Sequence, residues 1–76
     1  MKLRLITILK RLGKNIERYR KEKSLDQGQL ARILDKDQPR ISELEKGKSN
    51  ARVSTLVDIA NALDKDVKDL FEEEGK

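Results

Sequence analysis

A chain of 76 residues has room for one small core, and with 42% charged and only 3% aromatic residues that core must be aliphatic. Cysteine and histidine are both absent, which excludes disulfides, thiolate chemistry, the usual zinc sites and imidazole acid–base catalysis. The net charge of +4 hides a gradient: residues 1–23 carry nine Lys/Arg against two Glu, residues 24–50 five against five, and residues 51–76 four against seven. Unless these runs merely solvate helices, they give the molecule a polyanion-facing side and an acidic far side.

In chain order, residues 1–11 form a basic and apolar extension. Lys2, Arg4, Thr7 and Lys10 break it too often for a signal peptide, and no stretch approaches the roughly 18 apolar residues of a membrane span. A cytoplasmic protein is expected. Leu9, Leu12, Ile16 and Tyr19 recur at three and four, predicting a helix that ends near Lys23 and is interrupted by Gly13. The pattern reaches back to Leu5, so the extension prolongs this helix, or forms a strand or arm on the alternation of Leu3, Leu5, Thr7 and Leu9. Leu3, Leu5, Ile6, Ile8 and Leu9 are too many for one buried stripe. Some of them are expected in a dimer contact shared with the acidic last helix.

Asp26 is a good N-cap with Gln29 three residues on, and Leu25 and Leu30 occupy the two staple positions. This leaves Gln27 free at the first position of a second helix whose buried face is Leu30, Ala31, Ile33 and Leu34. Asp35 follows, where a tight turn needs a residue tolerant of positive φ. A third helix begins near Asp37 with Pro39 in its first turn, turns Ile41 and Leu44 inward and stops at Gly47. Because a residue before proline avoids the α region, Gln38 is either the cap or the first helical residue. Lys48 to Arg52 is a polar loop. A fourth helix carries Val53, Leu56, Val57, Ile59, Ala60 and Leu63. Asp66 caps a last short helix with Val67, Leu70 and Phe71, and residues 72–76 read as a frayed acidic tail. The expected fold is all-α, five helices, with residues 12–71 as the folded domain.

Gln27 and Gln38, eleven residues apart at the starts of two short helices joined by Leu34-Asp35-Lys36, suggest a DNA-binding helix-turn-helix. The words Arg20-Lys21-Glu22-Lys23-Ser24-Leu25, Asp26-Gln27, Gln29-Leu30-Ala31, Arg40-Ile41-Ser42-Glu43-Leu44-Glu45-Lys46-Gly47-Lys48 and Thr55 to Leu63 carry it further. In order and spacing they make Leu12 to Phe71 resemble the lambda-repressor-like (XRE/Cro-type) helix-turn-helix family. The resemblance implies that the third helix enters the major groove of double-stranded DNA. Gln38, Pro39, Arg40, Ser42 and Glu43 would then face the groove, while Gln27, Lys46, Lys48, Asn50 and Arg52 would lie on phosphates. It also implies a structural ion pair between Arg20 and Glu45.

Chemistry refines these roles. A glutamine amide bonds both N6 and N7 of adenine, which suits Gln38; Arg40 suits guanine O6/N7 or a phosphate; Glu43 accepts only from a cytosine amino group. Gln27 at a helix N-terminus suits a phosphate clamp. Four positions depart from the family pattern: Asp35 replaces the turn glycine, Ala51 a proline, Arg52 a serine-type cap, and Pro39 removes one base-reading side chain. The expected function is sequence-specific DNA binding as a homodimer on a near-palindromic site. The chain would serve as a transcriptional regulator, a repressor of phage, restriction–modification controller or antitoxin type, with a protein partner such as a toxin or a polymerase left open. The competing expectation is a protein-interaction module on the same fold. No enzyme activity and no cofactor are expected, since phosphate-binding glycine loops and nucleophile constellations are missing.

Overall fold

The computed structural model describes residues 4–73, which form α1 (Leu5–Glu22), α2 (Gln27–Ile33), α3 (Gln38–Glu45), α4 (Val53–Ala62) and a closing 3-10 helix, Val67–Phe71. No strand occurs among the described residues, so the extension prolongs α1 from Leu5 onward; Leu3 lies outside the described residues. α1 is the spine. It packs on α3 and on the 3-10 helix, and α2 in turn packs on α3. Its Leu12, Ile16 and Tyr19 join Leu30, Ile41, Leu44, Leu56, Ile59, Leu63 and Leu70 in one aliphatic core.

Gly13 does not interrupt α1. A Cβ there would lie 2.4 Å from the backbone oxygen of Glu45 and 2.5 Å from that of Leu44, so the glycine is where α1 crosses the end of α3 backbone to backbone. The second close approach is one turn away, where a Cβ on Gly47 would meet the Lys10 Cα at 2.9 Å. Spacing along one helix reports nothing about the distance to another, which is why Gly13 reads as a break in the sequence and is a contact in the fold.

All four α-helices end alike. Ser24, Asp35, Gly47 and Asp64 each take positive φ, between 56° and 74°. Behind them the amides of Leu25, Lys36, Lys48 and Lys65 donate back to the carbonyls of Arg20, Ala31, Glu43 and Ala60. This is the Schellman arrangement, which satisfies orphan carbonyls at a helix end. Three of the four left-handed residues are not glycine, so φ alone does not demand one. Gly47 is glycine because Lys10 leaves no space for a side chain.

The predicted starts are present at α2 and α3. Asp26 Oδ1 accepts from the Gln29 amide and Gln29 Oε1 from the Asp26 amide, both at 2.8 Å. Asp37, extended at φ −92° and ψ 157°, is the N-cap of α3, so Gln38 is its first helical residue despite the following Pro39. Arg52 begins α4 without a side-chain cap.

Two further expectations need correction. Ile33 is 56% exposed, because it sits roughly 100° around the helix from Leu34 and α2 is too short to wrap the core. Val53 and Val57 are likewise exposed, leaving Leu56, Ile59, Ala60 and Leu63 as the buried face around α4. Glu72, expected to fray, is tied down. The fully buried Asn15 donates from Nδ2 to the carbonyls of Leu70 (2.9 Å) and Glu72 (2.8 Å), and Arg11 approaches Glu73 at 3.8 Å. Residues 74–76 of the expected tail lie outside the described residues.

Two substitutions test this account. Gly13→Ala adds helix propensity of up to about 1 kcal/mol, yet the collision makes it destabilising. We expect a net loss of about 2 kcal/mol or more and a melting temperature lower by roughly 10 °C. A stabilised variant in thermal denaturation would refute the backbone crossing. Asp35→Gly relieves the left-handed strain without meeting a neighbour, and urea unfolding should show a gain of about 0.5–1 kcal/mol.

Candidate nucleic-acid interface

The site is built around a buried ion pair. Arg20 near the end of α1 donates from Nε to Glu45 Oε2 at 2.6 Å and from Nη2 to Oε1 at 2.9 Å, a bidentate fork. Their side chains are 8% and 4% exposed. The remaining Arg20 nitrogen, Nη1, donates to the Leu25 carbonyl at 2.8 Å. Hydrogen bonding to Glu45 raises the guanidinium pKa further above its ordinary value against the opposing cost of burial.

Gln27 is not free at the start of α2. Its Nε2 donates to Glu45 Oε1 at 3.0 Å, and its Oε1 accepts from Gln38 Nε2 at 3.4 Å. A chain of polar contacts therefore runs from the core pair through Gln27 to the first residue of α3. Sequence reasoning gave Glu45 to Arg20 alone and missed its hold on Gln27. A signal was available: Gln38 and Glu45 are seven residues apart on one helix, two turns and so one face, and Gln27 faces both. Gly28 was also missed; a Cβ there would lie 3.8 Å from Gln38 Oε1.

α3 presents its polar side outward because Ile41, Leu44 and Glu45 bury the other. Gln38, Pro39 and Glu43 are exposed, while Arg40 and Ser42 are half-buried. Arg40 leans toward the loop after α3, its Nη2 donating to the Asn50 carbonyl at a long 3.4 Å. Lys46, Lys48, Asn50 and Arg52 are all exposed, at the end of α3 and in the loop that follows. The residues expected to face the groove thus all lie on α3, and those expected on phosphates flank it at the start of α2 and beyond α3. Among the described residues no His, Cys, Asp or Glu side chains cluster in threes as a metal site, and no helix is long and apolar enough to cross a membrane.

This arrangement is a helix-turn-helix, and the helix-turn-helix model HTH_3 matches residues 16–70. The chain belongs to that family. Family members are regulators that bind double-stranded DNA. The fold is similar to that of the restriction-modification controller protein C.AhdI from Aeromonas hydrophila, at 27% identity and TM-score 0.81, covering 87% of this chain and 96% of that one. It is similar also to the hypothetical transcription factor NHTF from Neisseria (23%, TM-score 0.85, 97% and 85% covered). A third similar structure is the clp gene regulator ClgR from Corynebacterium glutamicum (24%, TM-score 0.79, 92% and 71%). Comparison with curated proteins yields no match.

Cutting the buried pair of this helix-turn-helix on one side leaves an uncompensated charge. Glu45→Ala should cost about 3–5 kcal/mol, measured by chemical denaturation. A cost below about 1 kcal/mol would mean that the pair does not hold α1 to α3.

Proposed function

We propose that this protein reads a specific double-stranded DNA sequence as a homodimer and regulates transcription, as a repressor. The observation that carries this reading is the outward face of α3. Gln38 there makes a long 3.4 Å hydrogen bond to Gln27, which itself donates to the buried Glu45, so an amide able to bond an adenine edge stands at the end of a chain of polar contacts from the core. Arg40, Ser42 and Glu43 complete the groove-facing set around Pro39, which contributes shape and no hydrogen bond. Gln27, Lys46, Lys48, Asn50 and Arg52 bind phosphates on either side. The likeness to a restriction–modification controller of nearly the same length supports a controller role over the phage and antitoxin alternatives.

Exposed apolar side chains available to a dimer contact are Ile33 on α2 and Val53 and Val57 on α4, besides the first ten residues and the last helix. The start of α1 is crowded by lysines, and Leu70 of the last helix is spent on the core. Two-fold symmetry then sets the two α3 helices about one DNA turn apart, ~34 Å. Catalysis has no part in this reading. The alternative is a protein-docking module without readout.

The test is a selection from randomised duplex DNA at near-physiological salt. A near-palindrome with half-sites one turn apart is expected; recovery without sequence preference overturns readout. On the selected site Gln38→Ala should cost about 1–3 kcal/mol and relax preference at a single position. Lys48→Ala should weaken all sequences alike and lower the salt slope by about 0.9 per subunit.

A further inference from the structure

The outer end of α1 carries an apolar surface beside the proposed phosphate-binding loop. Leu5 and Ile6 are 59% and 55% exposed. With Leu9 they line an open groove of about 800 Å³ whose other walls are Lys10, Lys46, Gly47 and Lys48. Its floor is aliphatic because Leu5 and Leu9 continue the stripe by which Leu12, Ile16 and Tyr19 enter the core. Among the described residues its rim holds three ammonium groups and no carboxylate. Its outer edge is the start of an 18-residue helix with no side-chain cap and no acidic residue in the first turn, the positive end of the helix dipole. Apolar floor, cationic rim and positive helix end all select the same ligand chemistry.

We propose that this groove docks an acidic amphipathic helix of another protein. The partner's apolar face lies on Leu5, Ile6 and Leu9, and its carboxylates reach Lys10, Lys46 and Lys48, the helix-in-groove mode of recognition. Charge selects this occupant over a second copy. Two copies of the patch facing across a two-fold axis would set lysine against lysine. Lys46 and Lys48 are also cations of the proposed phosphate-binding loop, so an occupant of the groove and a DNA backbone compete for them. The partner therefore acts as an antagonist of DNA binding. That consequence rests on the DNA-reading function above, whereas docking does not.

The probe is a synthetic helical peptide with leucines at i, i+3, i+4 and i+7 and glutamates on its opposite face. It is titrated by fluorescence anisotropy against the full chain and against Leu5→Glu/Ile6→Glu, with Leu5→Ser/Ile6→Ser as a milder second variant. Both residues are exposed, so folding is retained, checked by circular dichroism. Saturable binding is expected, at least about tenfold weaker in the variants, together with displacement of the selected duplex. Equal peptide binding by the variants, or none by the wild type, overturns the proposal. So does a preference for anionic phosphatidylglycerol vesicles over the peptide, or a self-association that the variants abolish. If the wild type binds no duplex selectively yet loses the peptide on substitution, the DNA reading falls and the docking site stands.

Discussion

The Arg20–Glu45 pair is the constraint on which the rest of this structure depends. Taking two charges out of water costs several kcal/mol for each, and the attraction between them compensates only when the geometry is good and the spare donors and lone pairs are used. Here they are used. The guanidinium fork meets both carboxylate oxygens, its third nitrogen holds the Leu25 carbonyl, and Gln27 donates to Glu45 as well. One contact thus ties the end of α1, the turn into α2, the first residue of α2 and the last residue of α3. The same Glu45 presents its backbone oxygen to Gly13, so its side chain and its backbone both hold α3 to α1. Movement of α3 against α1 would break a buried charge pair and open a backbone contact together.

That rigidity at the back of α3 bears directly on the DNA-reading role proposed for its front. A reading helix needs its polar side chains fixed relative to the cations that meet the backbone, since phosphate contacts set register and base contacts use it. α3 is only eight residues long, and a helix this short has little stability of its own in water. Its position comes from Ile41 and Leu44 in the core and from Glu45 on Arg20. Gln38 is linked to the same pair by its 3.4 Å contact with Gln27. The uneven charge of the chain puts the Lys/Arg excess on α1, while Asp66, Asp69, Glu72 and Glu73 lie at the 3-10 helix and just after it.

Much of the fold was legible in the sequence because it depends on local rules. The capping box at Asp26, the left-handed Asp35, the stop at Gly47 and the three-and-four spacing in α1 are each decided within a few residues, and each is present. The helix-turn-helix was legible for the same reason, as an order of short local signals. Less legible was whatever one element does to another. Gly13 reads as a break and Ile33 as buried, and no local pattern marks Asn15, which fastens α1 to the 3-10 helix and the chain after it. Within the candidate site, the residues follow from the family resemblance, but the contacts of Gln27 with Glu45 and Gln38 cross between elements.

By itself, the sequence determined that this protein is a small all-helical domain with helices near these places, a helix-turn-helix at its centre and a basic face. Periodicity, capping and net charge are properties of neighbouring residues, and neighbours in sequence remain neighbours in any fold. The close crossing of α1 over α3, the apolar side chains left outside the core, and the contact of Gln38 with Gln27, which itself bonds the buried Glu45, come from tertiary packing. Those are distances between residues far apart in the chain. They follow from packing every helix at once around one core, which no local pattern encodes.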